Sequence, residues 1–216
     1  KGIFAATEDQ IAWAVTCYVV ASAIAMPTAG WASRRFGRKT VMVFSVGGFT
    51  ISSFFCGLAD SLVVEVIART CQGFTGGFIV PLSAPIILDN YPRKEHSKAL
   101  AIWSFGTFAG SFVGPVLGGY IIEYMSWRWV FYINIPIGLI SLAGILFFMK
   151  ETKKEKTARL DWFGFITLAV GVSSLQIMAD RGHRLDWFES TEIILECIVS
   201  CLAFYLFFWH TLTSRQ

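Results

Sequence analysis

Charge is what this sequence has least of. Asp, Glu, Lys and Arg make up 15% of its 216 residues, and residues 99–122 contain none. Soluble domains carry about 25% charged residues, so an ordinary water-soluble fold is excluded. No run alternates apolar and polar residues as a membrane barrel requires. No nucleophile sits beside a base, no His or Cys spacing fits a metal, and no glycine-rich phosphate loop follows a strand. The sequence therefore reads as neither an enzyme nor a holder of a metal or cofactor, and nothing in it points to nucleic acid. The five cysteines, Cys17, Cys56, Cys71, Cys197 and Cys201, all fall in apolar runs, which suits packing and excludes a disulfide framework. A leader pattern and a starting Met are lacking too, so the chain reads as cut from something longer.

What is present is apolar length. Seven runs, at 11–30, 41–59, 62–88, 99–122, 129–149, 162–179 and 191–211, are each long enough to cross a bilayer as a helix. Helices satisfy their own backbone there, so the predicted class is an all-α polytopic membrane protein. The connecting segments at 31–40, 89–98 and 150–161 hold Arg34, Arg35, Arg38, Lys39, Arg93, Lys94, Lys98, Lys150, Lys153, Lys154, Lys156 and Arg159. Alternate loops hold few cations. The positive-inside rule places the basic loops, and the Gln216 end, in the cytoplasm. Their cations suit anionic lipid headgroups. Residues 30–40 are predicted as a tight polar loop, with Gly37 at a turn of positive φ.

Three patterns stand out within the spans. Gly106, Gly110, Gly114 and Gly118 recur every four residues, with Pro115 and Gly119 beside them. That spacing makes a groove where another backbone can approach, and the proline predicts a bend; helix packing and a mechanical hinge both remain open. Glu65 and Arg69 stand four residues apart, so they share a helix face and can pair, with Gln72 following. Ions at membrane depth are expensive, which points them inward, either to order the bundle or to handle protons. Pro81 and Pro85 predict kinks, and Asp89 reads as a solvated acid at a helix end. Asn134 can bridge helices or touch a substrate, and Glu196 lies deeper in its span than Glu192.

These stretches resemble a known family. GTFAGSFVGPVLGG, at 106–119, is similar to the antiporter signature of major facilitator drug:proton exporters, with Gly110, Gly114, Pro115, Gly118 and Gly119 in its core and Ala101 where a more distant glycine is usual. RTCQG, at 69–73, looks like the family's RxxQG motif, in which the Arg is implicated in proton coupling. Gly30, Arg35, Gly37, Arg38 and Lys39 match the superfamily's cytoplasmic loop motif; Arg34 stands at its usual acidic position and puts that acid's contact in doubt. WRWVFYINIPIG, at 127–138, resembles the sixth span of fourteen-span drug exporters, and SLQIMADRGHRLDWF, at 174–188, looks like the EmrB type.

The resemblance implies a partial major facilitator bundle covering the family's second to eighth spans. Residues 1–149 would be an incomplete N-terminal half lacking its first span, 150–161 a cytoplasmic linker and 162–216 two additional spans between halves. It implies a multi-pass protein of the bacterial inner membrane that exports amphipathic drugs by alternating access, powered by a proton gradient in place of a cofactor. Glu65 and Arg69 would couple protons, with Gln72, Asn134 and Glu196 as candidate cavity residues. Partners implied are membrane lipid, drug substrates, and a periplasmic adaptor with its outer-membrane channel. Two rivals stay open: a major facilitator for a metabolite, and a non-transporting membrane scaffold.

Overall fold

The computed structural model describes residues 8–155 and 157–214. Lys156 and Gln216 lie outside them. Among the described residues the chain forms nine α-helices and no strand: α1 Glu8–Phe36, α2 Arg38–Leu58, α3 Leu62–Gly76, α4 Ile79–Asn90, α5 His96–Tyr124, α6 Trp129–Tyr132, α7 Asn134–Phe148, α8 Trp162–Gly182 and α9 Thr191–Thr213. Taken as α3 with α4 and α6 with α7, these make seven segments long and apolar enough to cross a membrane.

Two boundaries differ from the sequence reading. The polar loop predicted at 30–40 is mostly helix, because α1 runs to Phe36 with Arg34 and Arg35 in its last turn. Cations there oppose the negative end of the helix dipole, so polarity does not end the helix. The chain turns on Gly37 alone, at φ +91°. The third span divides at Gly77 and Phe78, while Pro81 and Pro85, where kinks are expected, lie within α4. Pro115, where a bend is expected, lies within α5.

Local chemistry sets other starts. The Ser61 side chain accepts from the Val64 N–H to begin α3, and Asp161 accepts from the Gly164 N–H at 3.0 Å to begin α8. Both are short oxygen-bearing side chains, as the exposed donors of a first turn require.

Packing is most extensive between α1 and α3, α2 and α3, α2 and α7, and α8 and α9. In a bilayer the hydrophobic effect does not bring helices together, so close contact depends on small residues. Gly73 shows this: a Cβ there would fall on the backbone carbonyl of Tyr18 in α1. One end of the bundle closes with Ala25, Ala29, Ala32, Val41, Met42, Phe78 and Leu82. Large apolar side chains such as Phe105, Phe112, Phe147 and Phe148 point outward, as bilayer contact demands. Helix α5 touches α4 and α6 only at its margins, and none of its residues is buried.

The segment between α7 and α8 is docked against the turn that joins α1 and α2. The Glu155 N–H donates to the Arg34 carbonyl at 2.8 Å, and the Trp31 indole donates to the Ala158 carbonyl at 3.3 Å. Glu151 accepts from the backbone N–H groups of Lys39 and Thr40, each at 3.1 Å, and from the Thr40 hydroxyl. It thus caps α2 from 111 residues away. Partial burial pushes the Glu151 carboxyl up, but the hydrogen bonds from Thr40, Thr152 and Lys39 outweigh it and hold the group below its ordinary 4.5. A depressed folded value stabilises the fold above the ordinary value and is lost as pH falls below it. Glu151→Ala is expected to lower stability by about 1 kcal/mol near neutrality, the usual worth of a cap. Thermal unfolding in detergent should show the wild type losing stability below pH 4.5 as the variant's deficit shrinks; a constant deficit would contradict the cap.

Candidate functional site

The strongest site is the ionic cluster on α3. Glu65 and Arg69 sit one turn apart, and the Arg69 Nε donates to Glu65 Oε1 at 3.3 Å. The other arm of the guanidinium donates to Gln72 Oε1 at 3.3 Å. Gln72 is 2% exposed and donates through Nε2 to Ser53 Oγ of α2 at 2.7 Å, and the Ser53 hydroxyl donates in turn to the Phe49 carbonyl at 2.8 Å. The hydrogen-bonded chain therefore runs from α3 into α2.

Aromatic rings enclose the guanidinium. The Phe131 ring centroid lies 4.4 Å from the Arg69 guanidinium carbon, and Tyr18 of α1 lies at 5.8 Å. The electron-rich faces stabilise a cation whose hydration is lost. The Glu65 side chain is 7% exposed and that of Arg69 27%. Cys56, Ala68 and Phe131 form the apolar floor. Chemically this is a charge-balanced pair with its carboxylate buried and its guanidinium partly exposed.

Asn134 begins α7, one residue after α6 ends, and is half-buried. Among the described residues no hydrogen bond or ion pair ties it to the Arg69 cluster. Glu196 is half-buried on α9, with Oε2 enclosed and without a partner among the described residues.

The residues of the loop motif gather at the α1–α2 turn. Gly37 is buried, and a side chain there would collide with the Glu151 carboxylate. Arg38 pairs with Asp89 at the end of α4, and its N–H donates to the Thr152 hydroxyl at 3.0 Å. Asp89 is therefore an ion-pair partner, not merely the solvated acid its position suggested. The Lys39 ammonium donates to the Leu146 carbonyl at 2.8 Å. Arg34 is exposed, Arg35 is half-buried, and Gly30 has open space around it.

The glycine row is not brought to a partner. A Cβ built at Gly106, Gly110, Gly114, Gly118 or Gly119 meets no heavy atom within 4 Å. The expected close approach of another backbone is absent among the described residues, because α5 lies at the margin of the bundle.

The α8–α9 pair is tied at both ends. Asp161 accepts from Gly164 and contacts His210 Nε2 at 2.9 Å, and Arg181 pairs with Glu192. The Gly164 N–H chiefly, then His210 against slight desolvation, holds the Asp161 carboxyl below its ordinary value. Ser200 donates to the Gly171 carbonyl at 3.0 Å midway. Helix α8 fastens to α1 through the Thr16 hydroxyl, which donates to Asp180, and through Arg181 stacked 5.3 Å from the Trp13 ring.

Sequence reasoning reached Glu65, Arg69 and Gln72 because ions in an apolar run are conspicuous. It missed Ser53, Phe131, Glu151, Asp161 and His210. An acid within a basic loop was the one visible hint of Glu151; the rest look ordinary in their local context.

The family profile of the Major Facilitator Superfamily matches residues 1–214. The chain belongs to the Major Facilitator Superfamily. Among curated members of that superfamily, it is similar to multidrug export protein EmrB of Escherichia coli (strain K12), at 39% identity over 211 residues, covering 96% of this chain and 41% of that protein. It is similar to fatty acid resistance protein FarB of Neisseria gonorrhoeae, at 37% identity over 211 residues, covering 95% of this chain and 41% of FarB. Among solved structures, that of the human organic anion transporter MFSD10 covers 81% of this chain and 40% of its own, with a TM-score of 0.59 at 19% identity, a likeness of fold. The chain spans about 41% of the length of EmrB and FarB.

Proposed function

We propose that this chain is part of a multidrug exporter of the bacterial inner membrane that moves amphipathic drugs outward in exchange for protons. The observation that carries the export reading is the likeness along 96% of the chain to a protein named for multidrug export. A relative named for fatty acid resistance supports amphipathic substrates over compact metabolites. The buried Glu65–Arg69–Gln72 array supports proton coupling, since intramembrane ions without such a role are costly to retain. Residues 1–149 would belong to one half of the transporter, 150–161 to a cytoplasmic linker and 162–216 to two additional spans. The basic face at Arg34, Arg93, Lys94, Lys98, Lys153 and Lys154 supports a cytoplasmic placement of that face and of the Gln216 end. Gly106, Gly110, Gly114, Pro115, Gly118 and Gly119 would let α5 pack or bend as the halves rock. Asn134 and Glu196 would lie toward a substrate path. A periplasmic adaptor and an outer-membrane channel complete this reading.

The test is export by the intact protein reconstituted in liposomes. Amphipathic dye should leave faster when a proton gradient is imposed, and added dye should evoke a proton flux. Dye movement indifferent to the gradient would sink the exchange reading. Movement of a sugar or organic acid in preference to dye would replace the drug reading with a metabolite transporter.

A further inference from the structure

Glu65 has two carboxylate oxygens, and the site engages one of them. Oε1 accepts from Arg69, whereas Oε2 is enclosed and has no hydrogen-bond partner among the described residues. A carboxylate that served only to hold an arginine would favour the two-pronged contact that its geometry offers. Here the contact is single, through Nε at 3.3 Å. A buried anionic oxygen without a donor is costly, and a proton placed on that oxygen removes the charge while leaving Oε1 free to accept.

Arg69 is equipped for the same change. Its guanidinium keeps the Gln72 carbonyl oxygen and the Phe131 and Tyr18 ring faces when Glu65 is neutral. The pair can therefore lose its charge balance and regain it with no rearrangement of the cation. The groups around Glu65 are few. Arg69 shares its helix, Cys56 of α2 belongs to the adjoining cluster with Ala68 and Phe131, and Tyr18 of α1 lies beside Arg69. Asp60, 97% exposed at the α2–α3 loop, has Arg128 within 3.9 Å, and the α6 residue next to the cluster, Phe131, is uncharged.

We propose that Glu65 is the carboxyl that takes up and releases a proton in this bundle, with Oε2 as the atom that carries it. Its use in transport rests on the exchange reading above. Proton uptake converts the carboxylate to a carboxyl group and weakens the charge-assisted bond from Arg69; release restores both.

Infrared difference spectroscopy on the intact protein in lipid nanodiscs, after a pH jump, tests the assignment. The wild type should show a carboxyl C=O band that grows as pH falls, lost in Glu65→Gln and retained at a shifted position in Glu65→Asp. A band unchanged in Glu65→Gln, or no titrating band in the wild type, overturns the proposal. In liposomes, Glu65→Gln should lose the gradient-driven part of dye export and keep the gradient-independent part, with Glu65→Asp restoring the former. Gradient-driven export intact in Glu65→Gln overturns the role in transport. Wild-type export that ignores the gradient while the band still titrates refutes the exchange reading and leaves the proton on Glu65.

Discussion

Arg69→Ala is expected to abolish drug-evoked proton flux and to destabilise the bundle. The variant leaves Glu65, 7% exposed, without its counterion. Stranding one member of a fully buried ion pair costs about 3–5 kcal/mol; since Arg69 is 27% exposed, about 2–3 kcal/mol is the appropriate expectation. Two variants separate charge from geometry. Arg69→Lys keeps a cation but cannot reach Glu65 and Gln72 together through a rigid fork, so stability should recover more than flux. Adding Glu65→Gln to Arg69→Ala removes the stranded charge, and thermal unfolding should show roughly 1–3 kcal/mol of coupling between the two sites. Normal drug-evoked proton flux in Arg69→Ala, measured in liposomes, would remove Arg69 from the coupling machinery.

Gly73→Ala should be among the most disruptive single-methyl additions in the chain. The added Cβ would overlap the Tyr18 carbonyl, and neither backbone can swing aside as a side chain could. Overpacking of this kind costs about 1–3 kcal/mol, and Gly73→Val should cost more. Gly110→Ala is the informative contrast. It belongs to the conspicuous glycine row, yet its new methyl would meet nothing within 4 Å. Thermal unfolding should therefore drop for Gly73→Ala and stay level for Gly110→Ala. If Gly110→Ala impairs dye export at full stability, the row acts in motion and not in holding this bundle together. Equal unfolding temperatures for Gly73→Ala and wild type would contradict the α1–α3 contact described here.

The contrast between Gly73 and Gly110 shows what the sequence could reveal. Apolar length made all seven spans legible, because a bilayer imposes a length and forbids charge. The register of Glu65, Arg69 and Gln72 was legible because helical spacing places them on one face. Which glycine receives a neighbour was not legible, since spacing describes one helix and contact requires two. The α1–α2 turn was misjudged for a related reason: two arginines suit the end of a helix as well as they suit a loop. Glu151, Asp161 and His210 act through partners far along the chain, where no local pattern reaches.

The α8–α9 pair closes on itself through Asp161 with His210, Ser200 with Gly171 and Arg181 with Glu192, and it leans chiefly on α1. Such a unit has the character of a removable cassette. Its parity is even, so the chain leaves a membrane face and returns to the same face. A protein could gain or shed the pair by genetic insertion or deletion without inverting the sidedness of the segments it joins, and only the seam on α1 would need repair.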